Sequence, residues 1–201
     1  MSFTPRMCLT GFFLGAFFAF AFVYPANDCP STGSAWDMQQ RKLNFLMNRA
    51  TVPDEKQINR GISLEGILNS KDSTTLFSSK EGASVKGFVF DVVVGKPEPC
   101  NCYSKDENDL DIIIYLSKDG KAKEVHECAM AYITPASRAL HHEWKLPALK
   151  KLIGKKITVT GWMLFNSAEV GVSSESHHGS ARPDRHTAWE IHPVTAIKTE
   201  K

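Results

Sequence analysis

Five strand-like stretches, with one helical stretch between the third and the fourth, limit what this chain can fold into more than any other feature. Residues 85–94 (VKGFVFDVVV) are rich in β-branched and aromatic side chains, and a loop of Pro, Gly and polar residues follows at 95–109. Residues 111–116 (DIIIYL) form the second stretch, closed by the turn pair Asp119-Gly120. Residues 128–134 (CAMAYIT) form the third and stop at Pro135. Short runs of this composition between turn residues predict strands. Residues 136–142 and 147–153 then read as helical, with Pro147 suited to a first turn and Gly154 to a C-terminal cap. The fourth strand is 157–165 (ITVTGWMLF), where Gly161 marks a bulge or bend, and the fifth is 187–198 (TAWEIHPVTAIK).

Three strands, a helix and two strands is the order of an OB barrel, in which closure removes most exposed edges. The expected fold is therefore mainly β, a five-stranded OB-like barrel over residues 85–201. Its ligand loops would be 95–110, after the first strand, and 166–185, between the fourth and fifth. An irregular α+β domain with the same elements is the competing architecture.

The first 24 residues differ from the rest. Arg6 precedes an uncharged run from Leu9 to Tyr24, the pattern of a signal peptide or an uncleaved N-terminal membrane anchor. Either outcome places the remainder outside the cytoplasm, periplasmic, secreted or anchored. Residues 25–84 read as a linker and a helical extension. Ser34 is the expected cap of a helix carrying Leu43, Leu46, Met47 and Ala50 on one stripe, and Ser63 begins another capped turn.

Four cysteines follow the leader, Cys29, Cys100, Cys102 and Cys128. In an oxidising compartment the expected arrangement is a bridge from Cys128 to Cys100 or Cys102. A Cys-x-Cys metal site is the weaker alternative. Net charge is +2, and from residue 85 onward sixteen Lys/Arg face fifteen Asp/Glu. Affinity for phosphates requires a basic excess, so charge gives nucleic-acid binding no support.

In the last strand, alternation puts Trp189 and Ile191 on the core face and Glu190 and His192 together on the other. That pair either fixes the barrel end by hydrogen bonding or binds a ligand, with Asp111 and Arg185 as neighbours. Trp162 falls with Thr158 and Thr160; facing outward, it would offer a stacking platform, and facing inward it is core. His141-His142 closes a helix, where imidazole complements the dipole, and His177-His178 reads as surface loop. The loop with Glu98, Asp106, Glu107, Asp109 and Asp111 lacks calcium-loop spacing and reads as a solvated charged segment. No P-loop, dinucleotide fingerprint, Gly-x-Ser-x-Gly or His-Glu-x-x-His occurs. No cofactor, metal or catalytic residue is assigned.

Several phrases in order carry a family resemblance: Asn48-Arg49 with Val52-Pro53, Val85-x-Gly87-x-Val89, Cys100-Asn101-Cys102, Gly154-Lys155 leading to Val159-Thr160-Gly161-Trp162, and Thr187-x-Trp189-Glu190-Ile191-His192-Pro193-Val194. From residue 37 to its end the chain resembles a group of exported bacterial proteins of no assigned activity, with an OB-like domain ending in that last phrase. Relatives often carry Asp-x-His-Ile at the second strand, where this chain has Asp109-Leu110-Asp111-Ile112. The resemblance implies export and the barrel, and it brings no substrate. The leading functional expectation is an extracytoplasmic binding module for an oligomeric or protein ligand, without catalysis, in contact with the membrane through the leader if that is uncleaved. The alternatives are a metal-assisted hydrolase using Glu190, His192 and Asp111, which requires those three to converge in a pocket, and a nucleic-acid-binding OB domain.

Overall fold

The computed structural model describes residues 29–71, 73–170 and 186–200; the leader, Arg185 and His177-His178 lie outside the described residues. Five strands form a closed barrel: β1 (Gly82–Val94), β2 (Ile112–Ser117), β3 (Ala129–Ile133), β4 (Lys156–Phe165) and β5 (Trp189–Thr199). Neighbours run β1-β2-β3-β5-β4, with β4 pairing back onto β1. Every pairing is antiparallel except β3 with β5, which is parallel. Helices α3 (Pro135–Leu140) and α4 (Leu146–Lys150) lie between β3 and β4, as the OB order requires, and α1 (Met38–Met47) and α2 (Leu64–Asn69) precede the barrel. The first strand begins at Gly82 rather than residue 85.

Alternation along each strand fills the interior. Ile112, Ile114 and Leu116 of β2 meet Ala129, Ala131 and Ile133 of β3, then Trp189, Ile191 and Val194 of β5, in one buried cluster. In β1 the inward residues Val85, Val89 and Val92 break the two-residue period. A bulge between Val89 and Asp91 restores the phase, since one extra residue turns the following side chains to the opposite face. Gly161 sits where the β4–β5 register shifts on both sides, as the sequence suggests. A Cβ there would lie 2.4 Å from the carbonyl oxygen of Pro193.

The N-terminal extension is built into the barrel. Leu64, Ile67 and Leu68 of α2 join the barrel core. Ser63 caps α2 as expected, accepting from the Gly66 N–H at 3.0 Å. The cap of α1 differs from expectation: Asp37 accepts from the Gln40 N–H at 2.7 Å, whereas the Ser34 N–H donates to the Pro99 carbonyl at 2.8 Å. Ser34 serves the β1–β2 loop instead. The same loop accepts a hydrogen bond at the Cys100 carbonyl from the Asn48 side-chain amide, 2.8 Å away. Leu43 and Met47 of α1 pack on Cys100 and Leu164.

The disulfide expectation is corrected. Cys29 pairs with Cys102, with Cα atoms 5.7 Å apart, while Cys100 and Cys128 are free and buried. Cys128 belongs to a cluster on the outer face of β2 and β3, and Cys100 to the one under α1, so no bridge joins them. Sequence spacing favoured the shorter loop; the path of the extension brings Cys29 to the Cys100-Asn101-Cys102 turn.

Closing a loop of 73 residues removes denatured-state entropy worth about 4 kcal/mol. The Cys29→Ser/Cys102→Ser double variant should lose a large part of that in urea denaturation. Gly161→Ala should cost about 1–3 kcal/mol, because its methyl meets backbone that cannot step aside.

Candidate functional site

The two faces of β2 and β3 are both apolar, so their outer face also needs cover. Ile113, Tyr115, Cys128, Met130 and Tyr132 form a second buried cluster there, with Val93 and Val125 packed at its margin. Because β3 and β5 pair at Ala131 and Ile191, which both point inward, the next residue on each strand points outward. These are Tyr132 and His192, whose rings stack with centroids 4.6 Å apart and planes 3° apart.

His192 stands between two carboxylates. Its Nδ1 is 2.9 Å from Glu190 Oε1, and its Nε2 is 3.4 Å from Asp111 Oδ2 without hydrogen-bond geometry. Exposure is 0% for Glu190, 1% for His192 and 8% for Asp111. The three residues singled out from the sequence therefore do converge, but in a buried network. Glu190 and Ile191 face opposite ways, as alternation requires.

Glu98 is the residue that sequence reasoning missed. It reads as part of a solvated loop, and Asp106 and Glu107 are indeed exposed. Glu98 instead lies half-buried in the field of the cluster. Its N–H donates to Asn101 Oδ1 at 2.8 Å, and the Asn101 amide donates to the Lys96 carbonyl at 2.9 Å. The neighbouring Cys29–Cys102 bridge fixes that turn to the extension. On the far side of the loop, Arg138 of α3 donates to the carbonyls of Asn108 and Leu110, which holds the entry to Asp111.

Crowding acids in a poorly solvated place penalises their charge. Burial, then the charges of Glu190 and Asp111, raise the Glu98 carboxyl to about 7. Burial also raises Asp111, against the opposing pull of His192 and Arg138. For His192, burial alone would lower the pKa; the hydrogen bond to Glu190 and the charges of Asp111, Glu190 and Glu98 outweigh it and raise the value. The Cys128 thiol is pushed up to about 12 and Cys100 is also raised, both chiefly by burial, so neither is an activated nucleophile.

A groove of about 300 Å³ runs over this outer face. Val93, Ile113, Tyr115, Val125, Met130 and Tyr132 line it, with Asp91, Glu98, Glu169 and Lys96 among its polar residues. Glu190, His192 and Asp111 do not line it; they sit behind Tyr132. A second depression of about 530 Å³ opens beside Arg138, His142 and Lys145. There His141 caps the end of α3 and stacks on Trp144, with ring centroids 3.8 Å apart, a packing role.

Trp162 offers no open platform. It is 4% exposed and covered by the extension: its indole N–H donates to the Thr51 carbonyl at 2.6 Å, and the Arg49 guanidinium lies 4.5 Å from the ring centre. Burial lowers Arg49 to about 10, so it remains a cation over the ring at neutral pH. Among the described residues, no group of three or more His, Cys, Asp and Glu is arranged to hold a metal, and no helix is long and apolar enough to cross a membrane.

No family model matches the sequence, and no curated protein matches it. Among solved structures, the chain is similar to the asparaginyl-tRNA synthetase of Entamoeba histolytica in complex with asparaginyl-adenylate, at 15% identity and a TM-score of 0.33. That similarity covers 64% of this chain and 22% of the synthetase chain. At that score it carries no argument, and the OB-like fold rests on strand order, closure and the position of α3.

The raised groups give stability a sign. Glu98, Asp111 and His192 all hold protons more tightly folded than unfolded, so the folded state binds more protons across the interval between the two values. Their contribution is fully present below the unfolded values and is lost as pH rises through the folded ones. For Glu98 that window runs from 4.5 to about 7. Urea midpoints should fall across it, and Glu98→Gln should flatten the fall. His192→Ala leaves Glu190 and Asp111 without their central cation and should cost about 3–5 kcal/mol in the same assay.

Proposed function

We propose that this protein is an extracytoplasmic OB-like binding module that holds its ligand in the groove on the outer face of β2 and β3 and performs no catalysis on it. The observation that carries this reading is the groove itself, apolar over most of its wall and placed between the β1–β2 loop and the end of β4. OB barrels take oligomers across the same strands, beside the same first loop. Concave, largely apolar sites with a few polar groups are the usual form of a binding pocket. The Cys29–Cys102 bridge supports an oxidising compartment, as does the uncharged leader read from the sequence.

The hydrolase alternative draws on the convergence of Glu190, His192 and Asp111, since an imidazole oriented by a carboxylate is an acid–base arrangement. It is disfavoured here because the imidazole is 1% exposed and lies behind Tyr132. The ring Nδ1 is engaged by Glu190 at 2.9 Å, and Nε2 is enclosed beside Asp111 rather than open to the groove. The nucleic-acid alternative loses its stacking residue with Trp162 covered, and residues 85–201 carry no basic excess for phosphates.

The test is a thermal-shift screen of the full-length chain against blocked peptides, cell-wall oligosaccharides and oligonucleotides. A ligand at one hundred times its Kd stabilises the folded form by about 2.7 kcal/mol. Val125→Lys, at the margin of the groove, should abolish the shift of any true ligand while leaving the unliganded melting temperature nearly unchanged. A ligand whose shift survives Val125→Lys binds elsewhere and would overturn the assignment.

A further inference from the structure

We infer that the outward face of α1 rests on the surface of the bilayer that the protein's own leader enters, with Trp36, Met38 and Phe45 among the lipid headgroups and Arg41 and Lys42 beside their phosphates. This goes beyond the groove on β2 and β3 and does not depend on it.

Helical spacing sorts α1 into two sides. Leu43, Asn44 and Met47 are buried, and Leu43 and Met47 pack on Cys100 and Leu164. At 3.6 residues per turn, Met38, Arg41, Lys42 and Phe45 fall together on the opposite side. All four are exposed, Met38 by 77% and Phe45 by 55%. Trp36 stands just before the cap Asp37, where a hydrophobic residue ordinarily packs on the fourth residue of the helix. Here that fourth residue is Arg41, and Trp36 is 92% exposed. A single exposed apolar side chain needs no explanation, but three along one short helix mark a contact surface.

Two observations make the contact a bilayer. The first is composition. Helices that lie in a membrane interface combine large apolar side chains with lysine and arginine. Tryptophan favours the headgroup level, and cations reach the phosphates while their stems stay in the apolar layer. Asp37 is the only acid from Cys29 to Ala50, and its carboxylate is committed to the Gln40 N–H. The second is the tether. No Asp, Glu, Lys or Arg stands between Arg6 and Asp28, and residues 7–24 suffice for a spanning helix, which needs about 17–25 residues. The chain from Tyr24 to Cys29 reaches at most about 18 Å. Cys29 is bonded to Cys102, and the segment after it is fastened to α1 itself: the Asn44 and Asn48 amides donate to the Thr32 and Ser31 carbonyls at 2.9 and 3.1 Å. A leader held in the bilayer therefore holds α1 at its surface.

The experiment reconstitutes the full-length chain in vesicles of phosphatidylcholine and phosphatidylglycerol and reads tryptophan fluorescence. Trp144, Trp162 and Trp189 are buried, so Trp36 supplies the exposed signal and Trp36→Phe identifies it. Lipids brominated near the top of the acyl chain should quench the Trp36 component at least twofold, and dissolved iodide should fail to reach it. Combined with Trp36→Phe, Phe45→Trp should report the same quenching. Asp119→Trp, in the exposed turn beyond the far end of β2, should respond to iodide alone. Met38→Glu with Phe45→Glu should return Trp36 to water, raising its iodide quenching at least twofold, while the chain still floats with the vesicles through its leader. Trp36 open to iodide in vesicles would overturn the proposal, as would equal bromolipid quenching at Asp119→Trp, the mark of a domain without orientation. Trp36 shielded from iodide but untouched by brominated lipid would also overturn it and assign the face to a second copy or another segment of the chain. Intact mass of the chain recovered from the membranes of producing cells should include residues 1–24; a chain cut after them removes the tether and the proposal with it.

Discussion

One pairing decides where the chemistry of this protein lies. The barrel closes between β3 and β5 through Ala131 and Ile191, the one parallel pairing among its five strands. Both residues point into the core, so Tyr132 and His192 must project on the outside, stacked on one another. Shifting that register by one residue would send His192 and Glu190 into an interior lined by Ile, Val and Met, where their charges have no partners. The closure that completes the core is thus also what carries the polar face of β5 to the apolar outer face of β2 and β3.

The cost of that arrangement is the burial of acids. Glu190, Asp111 and Glu98 surround one imidazole, and the protein meets the penalty by holding protons rather than by separating the groups. Rigid surroundings make this tolerable. The Cys29–Cys102 bridge, the Asn48 amide and the Pro99 carbonyl bind the β1–β2 loop to the extension, while Arg138 holds its other end. A loop free to swing would let water in and return Glu98 to the ordinary carboxylate range. The extension is therefore more than a tether: α2 completes the core, and α1 fixes the loop that presents Glu98.

The charged network and the groove occupy two different layers of this face. The buried Glu190–His192–Asp111 network joins β5 to the start of β2 and stands behind the tyrosine that lines the groove. The outer apolar wall and the polar residues at its margin line the groove in front of it. The two are adjacent, because after burial it is the charges of Glu190 and Asp111 in that network that raise Glu98.

The strand pattern was legible in the sequence because alternation and turn residues are local: five strands, the helix after the third, the irregularity at Gly161 and the opposite faces of Ile191 and His192 all follow from it. One further signal was present, since DIIIYL and CAMAYIT are apolar on both faces and so announce a covered outer surface. Other features depended on residues far apart in the chain. The partner of Cys102, the cover over Trp162, the cap of α1 at Asp37 and the capture of Glu98 by the charged cluster are set by how the extension wraps the barrel. Local pattern fixes which way a side chain points, whereas what it meets there is decided by long-range packing, and pKa values and grooves exist only once those partners are assembled.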